Sequence, residues 1–107
     1  MANETLTQAD AGKAVELKEG DVISVRLEEN PTTGYRWAVD ELDEQVLGLQ
    51  SSDFVGAQGA GAGAAGERRL TFRAKQAGTT ALRLQYRREW EKENPAGRYS
   101  VTVTVGG

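Results

Sequence analysis

The side chains left to perform acid–base chemistry in this 107-residue chain are chiefly its carboxylates and lysines, because it contains neither histidine nor cysteine. The lack of histidine removes the commonest general base and metal ligand, and with it the Ser-His-Asp and Cys-His arrangements. The lack of cysteine excludes a disulfide framework, a thiolate metal site and a thiol nucleophile. Glu89, Glu91 and Glu93 place acids at alternating positions of one segment. A carboxylate-dependent hydrolase would need an apolar pocket there to raise a pKa, and the neighbouring residues suggest none. A solvated charge run is the simpler account.

Recognition chemistry is better represented. In Asn30-Pro31-Thr32-Thr33-Gly34-Tyr35-Arg36-Trp37, proline fixes φ and disfavours helix at the residue before it, while Gly34 admits a φ that threonine adopts only at a cost. Thr32 and Thr33 give this stiffened loop a small, β-branched, hydrogen-bonding tip. Chain reversal alone needs only two residues, such as Asn-Gly. A second stretch, Gly56 to Gly66, is all glycine and alanine but for Gln58. It can bring backbone amides close to a partner, but ordering each flexible residue costs about 1–2 kcal/mol, so alone it reads as a flexible surface loop. The third stretch, Arg88 to Gly97, is charged and carries Trp90 in otherwise hydrophilic surroundings. Exposed, that tryptophan is a candidate binding hot spot; otherwise it folds back over the core edge.

The elements that would hold these stretches are strands. Ile23, Val25 and Leu27 alternate with Val22, Ser24 and Arg26 over Val22 to Glu28; Leu70 and Phe72 recur in the same way over Glu67 to Ala74, Leu82, Leu84 and Tyr86 over Thr80 to Arg87, and Tyr99, Val101, Val103 and Val105 over Arg98 to Val105. Period two marks half-buried strands. Tyr35, Trp37 and Val39 share a face, which makes Trp37 a core residue. Ala14 to Leu17 is a shorter strand after a polar lead-in. Val46 to Ser52 reads as a strand with Leu47 and Leu49 inward, although a short helical turn also accepts these residues. Seven strands separated by turn residues predict an all-β, immunoglobulin-like antiparallel β-sandwich of seven to eight strands over residues 1–107, one domain, with an open barrel as the alternative.

The net charge of −3 and pI near 5.0 argue against a nucleic-acid binder. Arg68-Arg69 and Arg87-Arg88 read as solvated faces. No apolar run approaches the roughly 20 residues of a membrane span. The polar start, Met1 to Thr5, shows no secretory signal and suits a cytosolic or a mature exported protein equally.

If each strand from Ala14 onward crosses the sandwich once, connections alternate between its ends. Lys18 to Asp21, Glu41 to Gln45 and Lys75 to Thr79 then make a plain end. Asn30 to Gly34, Gly56 to Gly66 and Arg88 to Gly97 share the other, as loops do where a sandwich carries recognition.

Together these loops resemble those of the chagasin family, inhibitors of papain-like cysteine peptidases, and the resemblance covers nearly the whole chain. Asn30-Pro31-Thr32-Thr33-Gly34-Tyr35 followed by Trp37 matches the family's first motif unchanged. The second motif, Gly-X-Gly-Gly, is met by Gly63-Ala64-Ala65-Gly66, with alanine in place of one glycine. The third, Arg-Pro-Trp, is met by Arg88-Glu89-Trp90, with Glu89 in place of proline. The resemblance implies that the three loops occupy a peptidase cleft reversibly, with Thr32 and Thr33 over the catalytic cysteine and the outer loops clasping the flanks. A bent loop would hold no peptide bond in the near-attack geometry of about 3–3.5 Å. A monomeric inhibitor burying a standard interface of about 1,600 Å², with no cofactor or metal, is the expectation. The departures at Ala65 and Glu89 imply weaker or narrower inhibition. The competing expectation is an immunoglobulin-like adhesion or interaction module whose partner has no catalytic cleft.

Overall fold

The computed structural model describes residues 3–30, 34–56, 66–88, 90–91 and 95–106. Their strands are β1 (Asn3–Leu6), β2 (Ala14–Lys18), β3 (Val22–Glu29), β4 (Tyr35–Glu41), β5 (Leu47–Gly56), β6 (Gly66–Ala74), β7 (Gly78–Arg88) and β8 (Gly97–Gly106). A 3-10 turn at Gln8–Asp10 separates β1 from β2. The strands form two four-stranded sheets, in the orders β1-β3-β6-β5 and β2-β8-β7-β4. Their inner faces carry the expected alternating set: Ile23, Phe72, Leu82 and Val103 are fully buried, and Trp37 is 5% exposed. Burial of each such side chain contributes about 1.5–3 kcal/mol.

The fold is the expected all-β sandwich, with three differences in detail. The polar lead-in forms a strand, β1, anchored by the single buried side chain Leu6; one apolar residue in four leaves no periodicity to read. Two edge pairings, β1 with β3 and β2 with β8, are parallel, so the sheets are mixed rather than purely antiparallel. The chain enters one sheet, bends through the 3-10 turn and joins the other, so neither pairing is a hairpin, whose strands would be antiparallel. Leu47 is buried as expected, but Leu49 is 45% exposed. It lies on an outermost strand at a bulge between Leu49 and Ser51, and a bulge re-aims side chains and strengthens the local twist. Glu44 to Val46 form a turn before β5 begins, so turn and strand divide this segment between them.

The registers show how the ends are arranged. In one sheet Glu29 pairs with Gly66 and Gly66 with Gly56; in the other Tyr35 pairs with Arg88 and Tyr86 with Gly97. The borders of all three unusual connections therefore lie at one end. At the opposite end the short turns bond to one another, through the Ala74 amide to the Asp21 carbonyl at 2.9 Å and the Lys75 amide to the Val46 carbonyl at 2.8 Å.

Candidate functional site

The floor of the loop-bearing end is a buried ion pair. Continuing the alternation of Ile23, Val25 and Leu27 puts Glu29 on the core side of β3, and that of Leu70 and Phe72 puts Arg68 on the core side of β6. Their side chains are 3% and 11% exposed, with Arg68 Nη2 2.7 Å from Glu29 Oε2. Arg68 Nε lies 3.2 Å from each carboxylate oxygen, and the Trp37 amide donates to Oε1 at 2.8 Å. Charges removed from water persist only when paired and hydrogen-bonded in this way. The expectation of a solvated face is thus overturned at Arg68, while Arg69 remains 45% exposed beside Glu67. Outside the sheet, the hydrogen bond from Arg26 holds the Glu67 carboxyl below the usual carboxylate range.

Above this floor an aromatic cluster on β4 and β7 is tied by hydrogen bonds to the opposite sheet. Trp37 and Tyr86 stack with ring centroids 5.0 Å apart, and Tyr35 meets Tyr86 at 5.5 Å in a tilted arrangement. The Trp37 indole N–H donates to the Glu28 carbonyl at 2.9 Å. The Asn30 amide donates to the Tyr86 hydroxyl at 3.1 Å. The first loop therefore leaves β3 already tied to the opposite sheet. It re-enters through Gly34, whose φ of +78° is the left-handed conformation that glycine adopts without strain.

The third stretch leaves β7 at Arg88, whose guanidinium carbon lies 4.9 Å from the centroid of the Tyr35 ring. The Glu91 amide closes a turn onto the Arg88 carbonyl at 3.0 Å, and the Glu91 carboxylate lies 3.6 Å from Arg88 Nη1. Trp90, within that turn, is 74% exposed. It does not fold back over the core edge. Gly66 closes the second stretch, packed against β5: a Cβ there would come within 2.5 Å of both Phe54 Cζ and the Val55 carbonyl.

The structure thus gathers Asn30, Gly34, Tyr35, Gly66, Arg88 and Trp90 at one end. Pro31, Thr32, Thr33, Gly63, Ala64, Ala65 and Glu89 lie outside the described residues. Glu29, Arg68 and Tyr86 complete the end; none was read from the sequence as part of a site, and Arg68 was read as solvated. The signal for Glu29 and Arg68 was a charge at an inward position of an alternating strand; for Tyr86 it was no more than the alternation with Leu82 and Leu84, because its place opposite Trp37 is set by the strand pairing.

Compared with known proteins, the chain matches the profile described as Chagasin family peptidase inhibitor I42 over residues 16–105. It belongs to the chagasin family. It is 31% identical over 104 residues to amoebiasin-2 of Entamoeba histolytica, covering 92% of this chain and 83% of that one. To chagasin of Trypanosoma cruzi it is 27% identical over 89 residues, covering 79% and 81%. The crystal structure of a cysteine protease inhibitor from Entamoeba histolytica superposes with a TM-score of 0.85 at 24% identity, over 99% of this chain and 97% of that one, and shows the same fold. Membership in a family of inhibitors decides against both the carboxylate hydrolase and the adhesion module. The chagasin-family profile ends within β8 and begins within β2, so it takes in all three stretches of the loop-bearing end.

Proposed function

We propose that this protein inhibits papain-like cysteine peptidases reversibly, by seating its loop-bearing end in the active-site cleft without being cleaved. The observation that carries the mechanism is the convergence of Asn30, Gly34, Gly66, Arg88 and Trp90 over a buried, fully hydrogen-bonded floor. Such a base holds the loop stems in one geometry before binding, so little entropy remains to be lost on association. Thr32 and Thr33 take the place over the catalytic cysteine, residues 56–66 lie along one flank, and Trp90 packs against the other. Nothing in this action requires a metal, a cofactor or a nucleophile of the inhibitor's own.

Steady-state inhibition of papain and of a cathepsin L-like peptidase, with a trypsin-like serine peptidase as control, tests the reading. Competitive inhibition confined to the cysteine peptidases is expected, with the inhibitor recovered intact. Trp90→Ala should weaken it by about 2 kcal/mol, roughly 30-fold, as truncation of an exposed aromatic anchor does. Glu89→Pro should strengthen it. Absence of inhibition at micromolar concentrations would remove the proposal, and equal inhibition by Trp90→Ala would remove the role of that loop.

A further inference from the structure

The two sheets end in four edge strands, β1, β2, β4 and β5. A free edge presents a row of unpaired backbone donors and acceptors, which proteins protect by keeping the strand short or charged. β1 has four residues including Glu4, β2 has five with Glu16 and Lys18, and β4 has seven with Arg36, Asp40 and Glu41. β5 has ten, with no lysine or proline and a single charge at Asp53. Three of the four large hydrophobic side chains exposed among the described residues also lie on it, Leu49, Phe54 and Val55.

Leu49 and Phe54 are five positions apart, a spacing that puts side chains on opposite faces of a regular strand. The bulge between Leu49 and Ser51 changes this. Leu49 pairs with Phe72 and Phe54 with Arg68, both core-side positions of β6, so Leu49 and Phe54 share the inner face. Gly48 and Val55, opposite Arg73 and Glu67, share the outer one. The facing sheet leaves the inner pair uncovered. Its edge strand β4 bonds to β3 instead, through the Trp37 amide to Glu29 and the Trp37 indole to the Glu28 carbonyl. Phe54 is nonetheless held in place, its ring centroid 5.9 Å from the Arg68 guanidinium carbon.

We infer that this edge docks the β5 strand of a second copy, antiparallel, about a two-fold axis between Ser51 and Ser52. In that register Leu49 faces the Phe54 of the second copy, Gly48 its Val55 and Asp53 its Gln50, and the same contacts recur on the other side of the axis. Opposed residues of an antiparallel pair lie on one face of the sheet, a condition that both arms meet only because of the bulge. Each apolar side chain meets an apolar one, each glycine leaves room for a valine, and the two Asp53 charges do not face each other. An isologous interface needs a surface complementary to itself, and this symmetry points to a second copy as the occupant. Ladder hydrogen bonds run along the arms, Leu47 to Leu49 against Phe54 to Gly56, and stop at the bulged centre, where two serines keep bulk low. Two short arms fall below a standard interface, so the expected monomer holds in dilute solution and pairing grows with concentration. The antiparallel arrangement turns the two loop-bearing ends in opposite directions. The inference does not depend on the inhibitor reading.

Sedimentation equilibrium from about 1 μM to about 1 mM, the span of weak association, is the first test. The weight-average mass should rise from 11.5 kDa toward twice that value. Leu49→Lys and Phe54→Lys each put a charge into both arms and should weaken pairing about tenfold or more, with thermal unfolding checking that both variants are folded. The register is read separately by cross-linking, because the chain has no cysteine of its own. A mixture of Leu49→Cys and Phe54→Cys should oxidise to the mixed dimer. Neither variant alone should do so, since its two thiols lie at opposite ends of the paired segment, beyond the Cα separation of about 7 Å that a disulfide spans. A mass that stays at 11.5 kDa with no mixed dimer overturns the inference. Association undiminished by either lysine variant overturns it too, since the contact then lies elsewhere, as does self-linking of either cysteine variant in preference to the mixture. A protein that stays monomeric but loses peptidase inhibition in both lysine variants assigns the edge to the target instead.

Discussion

Glu29 occupies the last inward position of a strand whose previous inward positions are Ile23, Val25 and Leu27. A carboxylate there is tolerable because Arg68 reaches it from the neighbouring strand and the Trp37 amide from the facing sheet. Glu29→Ala should therefore cost about 3–5 kcal/mol in urea denaturation, because it leaves the Arg68 charge buried without a partner. The double variant Glu29→Leu/Arg68→Met should recover much of that loss, since a buried pair replaced by apolar groups is often neutral. What it does not recover should be the Trp37 amide left without an acceptor, about 1–3 kcal/mol. A double variant no more stable than Glu29→Ala would show that the ion pair is not what the single substitution breaks.

At the scale of elements, the end of the β5–β6 hairpin depends on an absent side chain. A Cβ at Gly66 would lie 2.5 Å from the Val55 carbonyl oxygen, and backbone in a paired strand has little room to yield. Among the described residues, the same atom at Gly56, directly across the pair, would meet only Phe54 Cε2 at 3.8 Å. Gly66→Ala should destabilise the protein by about 1–3 kcal/mol, as overpacking does, and Gly56→Ala by much less. Thermal unfolding of the two variants checks the contrast; equal losses would mean that glycine flexibility, not close approach, sets the requirement. Inhibition should follow the same order, because β5 and β6 set the borders of the second loop.

For the molecule as a whole, Tyr99 ties β8 to the N-terminal segment, its hydroxyl donating to the Thr7 carbonyl at 3.0 Å. Burial, with the Asp10 charge nearby as a lesser cause, pushes that hydroxyl up to about 12. The folded protein therefore holds the proton more tightly than the unfolded chain, whose tyrosines titrate near 10. This contribution to stability is complete below pH of about 10 and is lost as pH rises toward about 12. Denaturation midpoints measured from neutral to strongly alkaline pH should fall in that window, and the fall should be smaller in Tyr99→Phe. Identical pH profiles for the two proteins would assign alkaline instability to other groups.

The sequence by itself determined that the fold is all-β, because period-two alternation over β3, β6, β7 and β8 leaves one face of each strand apolar; that the strands form a two-sheet sandwich rather than an open barrel was decided by the pairing. It also determined which connections share an end, since parity needs only the number of crossings, and it carried the family through an unbroken first motif at Asn30 to Tyr35. The tertiary structure alone decided what a charged residue at an inward position does. Arg68 was read as solvated because composition reports a residue's own polarity, whereas its burial depends on Glu29, 39 residues away in the chain. The same holds for Leu49, exposed by a bulge on an outermost strand. Alternation is a local property that a chain carries along its length; pairing is a relation between distant segments, and folding creates it.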